Sequence, residues 1–490
     1  MKRPPTTTTK TAFLRRLKNA FLSLLLILAV GLPGLLASIP LSIIERPGDL
    51  PAVESLQSWV LDDVHLVDVR SGRIDKDRQI HIRDGLIVSI GAAGEAVEET
   101  VLRIDAGGAY LTPGLFDMHV HIHDRKYLVM NLAYGVTSVR NLRGLPMHLR
   151  WKRELEEGNW LGSNLFTSSP VLDGEKHAHA LQQVVTSPAK ARQLVKSYTE
   201  DGFDSIKAYG YLDAEVYEAI VDESRQLGIP VVKHGPNPVE GLDVESLRGL
   251  QSLEHVEDIF QGPLNFSFDP AILSAYISEL KEIDPVVTPT LATFYHLVKL
   301  SAEKEVFIDE LPMETLNPLY KIILGEFSVK RWLAADAAQI EWNQQEAAYL
   351  LEIVKALDEQ GIPLLVGSDA GTMYMPPGSS THDEMTLMIH AGLETRTVLA
   401  GATIQAAETL GVADRYGSVE VGKVADLVLT SGNPLDDLET LREPCGVVKA
   451  GQWISEEQLA ALRKSGRRPS NLYISLGRLL EDLLWRAMQW

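Results

Sequence analysis

The sequence predicts an α/β protein with four parts. A (β/α)8 TIM barrel occupies residues 112–416, and a small discontinuous β-sandwich is drawn from both ends (59–111 and 417–455). An N-terminal hydrophobic anchor helix with its basic flank (1–48) precedes them, and an amphipathic helical tail (456–490) follows. Three observations predict this. Eight short apolar runs alternate with helix-patterned stretches through the middle of the chain, β-patterned segments bracket that middle, and a long charge-free run opens the chain. The 490 residues, 45% hydrophobic and 23% charged, suffice for several domains and are too apolar for disorder.

Residues 20–44 contain no charge and follow six basic residues, Lys2, Arg3, Lys10, Arg15, Arg16 and Lys18. Twenty-five such residues exceed the roughly 20 that cross a bilayer core as helix. The run therefore reads as an uncleaved signal anchor, and the basic flank keeps the N-terminus cytoplasmic with the rest of the chain exported. Pro33 and Gly34 leave a cleaved signal, and hence secretion, as the alternative.

Between Trp59 and Tyr110, VHLVDVRSGRI and RQIHIRDGLIVSIG read as strands, with Asp84-Gly85 as a hairpin turn. The same texture returns in GSVEVGKVADLVLTSGNPL and CGVVKAGQWI. In the middle, the runs LTPGLFDMHVH, VTSVRN, NLFTSSP, DSIKAY, IPVVKH, LQSLEHV, DPVVTPT and IPLLVGSD alternate with helical patterns. That alternation implies βαβ units and a parallel sheet, and eight units suit a closed barrel. The stretch between Thr290 and Ala347 exceeds one barrel helix and is read as an inserted helical region near the mouth. Near the C-terminus, Leu476, Leu479, Leu480, Leu483 and Leu484 recur at near-helical spacing, as in an amphipathic helix that docks on the protein or lies on a membrane.

The net charge of −20 argues against nucleic acid as a partner. The average conceals a division: residues 1–46 hold seven basic residues and one acid, which leaves −26 for the rest. The single cysteine, Cys445, excludes an intrachain disulfide and a CxxC zinc site, so any metal must be held by His and carboxylate. The sequence is compatible with a homo-oligomer.

Barrel chemistry sits at strand C-termini. Run one ends in His119-Val120-His121, and residues i and i+2 of a strand share a face. Run four ends near Lys207, run five at His234, run six at His255 and run eight at Asp369. Four imidazoles and a carboxylate converging on one rim match a divalent ion, zinc first, with manganese, cobalt or iron also accepted.

The motifs TPGLFDMHVH (112–121), DSIKAYG (204–210), IPVVKHG (229–235), SLEHVED (252–258), VGSDAG (366–371), THDEM (381–385) and VGKVADLVL (421–429) resemble the amidohydrolase superfamily. The likeness is nearest its imidazolonepropionase-like and Xaa-Pro dipeptidase (prolidase)-like branch and covers residues 60–455. The resemblance implies one or two divalent metals: His119, His121 and Asp369 would hold the more buried ion and His234 and His255 the second. Lys207, as a CO2-derived carbamate, would bridge them. It further implies a metal-bound hydroxide that attacks an amide or peptide-like C–N bond, with Asp369 as the catalytic proton carrier.

Substrate contacts are expected from His177 and His179 in GEKHAHA, from Tyr209, from Tyr295 with neighbouring His296, and from His382 in THDEM. Asn141 stands where many relatives have Asp, and His234 lacks a second His two residues on. These departures leave the ligand set intact and bear on substrate choice. The leading substrate is a small molecule such as a dipeptide or N-acyl amino acid. Lactonase or organophosphate-esterase activity on the same centre, and an inactive membrane-tethered metal-binding scaffold, are the competing readings.

Overall fold

Parallel strands covered on both faces are apolar along their whole length. Leu115–Val120 and Val136–Asn141 are buried at every residue, as such strands are, although they also carry Asp117, His119 and Arg140. The computed structural model describes residues 32–54, 56–98, 101–176 and 182–488. Residues 20–31 of the expected anchor, and His177 and His179, lie outside the described residues. The chain packs as two units, one of residues 47–469 and the other of the segments up to Arg46 and from Ser470 onward.

In the larger unit β1 (Ser58–Val67), β2 (Ile74–Arg83), β3 (Leu86–Ala92) and β4 (Leu102–Pro113) precede the barrel. The barrel strands follow as β5 (Leu115–Val120), β6 (Val136–Asn141) and β7 (Asn164–Thr167). A short pair, β8 (Leu172–Asp173) and β9 (Gln183–Val184), lies at the sheet edge before β10 (Ile206–Ala208), β11 (Val231–Lys233), β12 (Ser252–Glu254) and β13 (Val287–Thr288). The eighth run closes the ring through backbone bonds. Val287 N donates to the Pro363 carbonyl (3.0 Å), Leu365 N to the Val287 carbonyl (2.9 Å), and Val120 bridges Ala370 in parallel. A further parallel bridge, Ser168 to Ser205, joins β7 to the β10 side. All eight sequence runs therefore take barrel positions. Helices such as Pro188–Asp201, with Ser187 as N-cap, and Ala214–Leu227 fill the crossovers. The insertion after β13 is helical as expected, with Leu291–Ala302, Glu305–Glu310 and Pro318–Leu324 among its helices.

The strands drawn from the two ends of the chain form one continuous sheet. β14 (Leu427–Thr430), β15 (Gly446–Lys449) and β16 (Gln452–Ser455) join the N-terminal strands in one seven-stranded sheet, ordered β16-β15-β14-β4-β1-β2-β3. The cause is β4. It pairs parallel to β1 on one side and antiparallel to β14 on the other, so strands from the two ends share one ladder. That ladder folds back on itself: Trp59 of β1 packs edge-on against Trp453 of β16 (6.1 Å) and donates through Nε1 to the Gly451 carbonyl (2.8 Å). Trp59, Leu61, Ile80, Leu111 and Leu427 form its core.

The tail is also divided. Glu456–Gly466, opened by a Ser455/Gln458 capping box, belongs to the larger unit, where Arg463 Nη1 donates to the Ala133 carbonyl (2.9 Å). Leu472–Met488 belongs to the smaller unit and packs on the helix Leu32–Ile44. Among the described residues no helix is long and apolar enough to cross a membrane, so the expected anchor helix finds no support there.

Asn164 of the barrel strand β7 ties the barrel to a buried ion pair of the sheet, Asp426 with Lys449. Asp426 Oδ2 accepts from Lys449 Nζ (2.7 Å) and from Asn164 Nδ2 (2.9 Å), while its Oδ1 accepts from Ala450 N (2.6 Å). Asp426→Ala strands the buried Lys449 ammonium and should cost about 3–5 kcal/mol. A denaturant midpoint equal to wild type would refute that role.

Candidate metal centre

The bonds that close the barrel also assemble the site. His121 N donates to the Ala370 carbonyl (2.8 Å) and Asp369 N to the His119 carbonyl (2.7 Å), which brings the ends of the first and eighth strands side by side. One side-chain atom each from His119, His121 and Asp369 lies within 4.8 Å of the others. Asp369 Oδ1 is 2.9 Å from His121 Nε2 and 3.6 Å from His119 Nε2. Its Oδ2 accepts from Thr293 Oγ1 (3.1 Å) and Thr372 Oγ1 (3.4 Å), so Oδ1 is the oxygen aimed at the imidazoles. A methyl group on Gly371 would lie 2.1 Å from the His121 carbonyl oxygen, so only glycine permits this approach.

The histidine tautomers follow from their partners. His119 Nδ1 donates to Glu254 Oε2 (2.8 Å), leaving a lone pair on Nε2. His255 Nδ1 donates to Thr290 Oγ1 (2.7 Å), whose own proton goes to the Pro289 carbonyl (2.7 Å). His119 therefore turns an acceptor nitrogen toward the Asp369 oxygen. Lone pairs facing one another in a buried site favour a cation between them.

The rest of the constellation lies alongside. The ring centroids of His119 and His255 are 4.6 Å apart, those of His255 and His234 4.5 Å, and Tyr209 stacks on His234 at 4.0 Å. The ammonium of Lys207 is buried 5.9 Å from the Tyr209 ring centroid, within reach of the charges of Glu254 and Asp369. Lys207 Nζ and His234 Nδ1 are buried without a hydrogen-bond partner. Such orphaned atoms, together with the free Nε2 of His119, fit a site that takes up divalent ions. Three strand-end residues, His255 (φ 64°), Thr290 (φ 56°) and Asp369 (φ 58°), hold the left-handed backbone that often accumulates at functional sites.

Electrostatics agree with this arrangement. Burial lowers His119 to about 4, outweighing Glu254 beside it, and pushes His234 and His255 well below the usual imidazole range. Burial, with Arg140 nearby, lowers Lys207 to about 8. Burial opposes the charge of Asp369, but the His121 and His119 imidazoles hold it well below the usual carboxylate range.

Sequence reasoning missed the supporting partners. Arg140 donates to Glu254 Oε1 (2.9 Å), to the Met118 carbonyl (2.7 Å) and to Ser252 Oγ (2.8 Å), and Glu254 in turn orients His119. Asp117 accepts from Ser368 Oγ (2.6 Å), Thr381 Oγ1 (2.7 Å) and the backbone of Ser368 and His119. A lone charged residue inside a buried strand was the available signal for Asp117, Arg140 and Glu254; nothing local marked Thr290 or Thr293. Asn141 accepts from Ile122 N (2.9 Å) and so orders the loop behind His121.

The lesser candidates separate. Tyr209 joins the histidine cluster. His382 is buried, with Nε2 donating to the Tyr134 carbonyl (2.9 Å) and its ring tilted against the Tyr134 ring (6.2 Å). Tyr295 is half-buried, and adjacent His296 packs edge-on against Phe307. The insertion reaches the rim by other residues: Tyr320 stacks on His123 (3.7 Å), and Asn317 Nδ2 donates to Asp124 Oδ2 (3.0 Å).

A model of the amidohydrolase family matches residues 110–454. The imidazolonepropionase of Pseudomonas fluorescens (strain Pf0-1) is 38% identical over 393 residues, covering 78% of this chain and 81% of that protein. Among solved structures, bottromycin amidohydrolase superposes with a TM-score of 0.69 at 25% identity, over 89% of this chain and 94% of that one. A Xaa-Pro dipeptidase with bound methionine in its active site gives 0.62 at 18% identity, over 81% and 100%.

Glu254→Gln removes the anion that fixes the His119 tautomer. It should weaken zinc affinity about 10–100-fold in chelator competition; unchanged affinity would show that Glu254 does not orient the ligand.

Proposed function

The chain belongs to the amidohydrolase family and is a hydrolase acting on carbon–nitrogen bonds, and from that premise we propose that it cleaves a small acyl-amino substrate carrying a free carboxylate, such as a dipeptide or an N-acyl amino acid. The convergence of His119, His121 and Asp369 carries the reaction class. Arg143 carries the carboxylate. It lines one cleft with His121, His123 and Tyr320, and its Nε and Nη2 are buried there without a hydrogen-bond partner. A guanidinium fork so placed matches a carboxylate in two-point contact.

His119, His121 and Asp369 would hold one divalent ion, zinc by donor chemistry, and His234 with His255 would face a second. Lys207, partly neutral because burial lowers it to about 8, would add its amine to CO2, lose a proton and supply a bridging carbamate. Ions held by these residues would supply an acidified water and a Lewis acid for the scissile carbonyl. The protein's own groups do the rest. Arg143 fixes the substrate's acid end, and Thr293 and Thr372 pin Asp369 Oδ2. Asp369 Oδ1 takes the proton of the attacking water and passes it to the departing nitrogen.

Metal content and a panel of dipeptides, N-acyl amino acids, lactones and paraoxon-like esters, run on the full chain, test this reading. Turnover of a lactone or phosphotriester with none of any amide would overturn it, and a metal-bound protein inert on the whole panel would mark a scaffold. Asp369→Asn should lower kcat about 10²–10⁴-fold. Near-normal turnover at full metal content would remove the proton-carrier role. Arg143→Gln should raise KM about 10–100-fold for substrates with a free carboxylate and leave their amidated analogues unchanged; an equal rise for both would exclude carboxylate recognition.

A further inference from the structure

A helix pair stabilised in water places apolar side chains between the helices and polar ones outside. The smaller unit does the opposite. In Leu472–Met488 the buried residues are Ser475, Gly477, Arg478, Asp482 and Arg486. Leu483, Leu484 and Met488 turn outward, with Leu484 51% and Met488 77% exposed. Among the described side chains of Leu32–Ile44, Ser38 and Ser42 are the buried ones, while Leu36, Leu41 and Ile44 are exposed, Ile44 at 67%.

The seam is close and polar. A methyl group on Gly477 would come within 2.2 Å of the Ser38 carbonyl oxygen, so the backbones meet across small residues. Ser38 and Ser42 hydroxyls donate to carbonyls three residues back, at 2.5 and 2.7 Å. Arg478 Nη2 donates to Glu45 Oε2 (2.9 Å) and Ser470 Oγ (2.8 Å), and Arg486 Nε to Asp482 Oδ1 (3.0 Å). Small residues in contact, charges paired inward and leucines outward are what hydrocarbon favours and water penalises.

We propose that the paired helices Leu32–Ile44 and Leu472–Met488 form a lipid-facing element seated in a bilayer, so that both ends of the chain hold the membrane. Charge supports this occupant. The six basic residues between Lys2 and Lys18 complement anionic headgroups, whereas the chain beyond Arg46 carries −26 and is repelled by them.

The lone native cysteine makes the test site-specific. Full-length Cys445→Ser protein carrying Leu484→Cys, Leu472→Cys or, as a control on the body, Lys196→Cys is labelled with an environment-sensitive fluorophore. It is then bound to vesicles of phosphatidylcholine and phosphatidylglycerol. Labels at 472 and 484 should be quenched by lipid-borne nitroxide and shielded from aqueous iodide, with the reverse at 196. Iodide-accessible labels at 472 and 484 on vesicle-bound protein would overturn the proposal, as would failure to bind the vesicles. A soluble dimer that shields both labels without lipid would overturn it in favour of a second copy covering the face.

Discussion

The site depends on two backbone hydrogen bonds, from His121 N to the Ala370 carbonyl and from Asp369 N to the His119 carbonyl. They join the eighth strand to the first and so complete the barrel. They also bring Asp369 within a few ångströms of His119 and His121, which lie 248 or more residues earlier in the sequence. Barrel closure and site assembly are one event. A distortion at this seam therefore reaches stability and chemistry together, which is why the strained backbone at Asp369 is tolerated: the ladder around it over-determines the conformation.

Outside that seam the barrel interior is a polar relay. Arg140, Glu254, His119, Asp117, Ser368 and Thr381 are buried, and each finds hydrogen-bond partners. Burial opposes the charge on Glu254, but Arg140 beside it and the His119 proton outweigh that cost and hold the carboxyl well below the usual range. Buried ions are poor sources of net stability. Here they fix which nitrogen of His119 carries its proton, and hence which lone pair faces the ion pocket.

The barrel and the convergence of His119, His121, Lys207, His234, His255 and Asp369 were legible because both rest on local spacing. An eight-fold alternation and the last residue of each run suffice. The supporting network was not, because Glu254 meets His119 across 135 positions and Thr293 meets Asp369 from an insertion with no periodic signature. The pairing of the flanking strands was hidden for a related reason: strand pattern shows which face of a strand is buried but not whether its ladder edge meets a neighbour. In β4 both edges do. The tail's leucine spacing identified a helix, yet spacing alone could not show that the leucines face away from the seam.

The mixed origin of the seven-stranded sheet bears on how the chain is made. β4 is complete at Pro113, but its antiparallel neighbour begins at Leu427, roughly 310 residues later. At about 5–20 residues per second, synthesis leaves one edge of β4 open for roughly 15–60 s. An unpaired edge is a template for the wrong strand, including β4 of a second nascent chain. The barrel thus emerges beside a half-built sheet, and biosynthesis must guard that edge until the last hundred residues arrive.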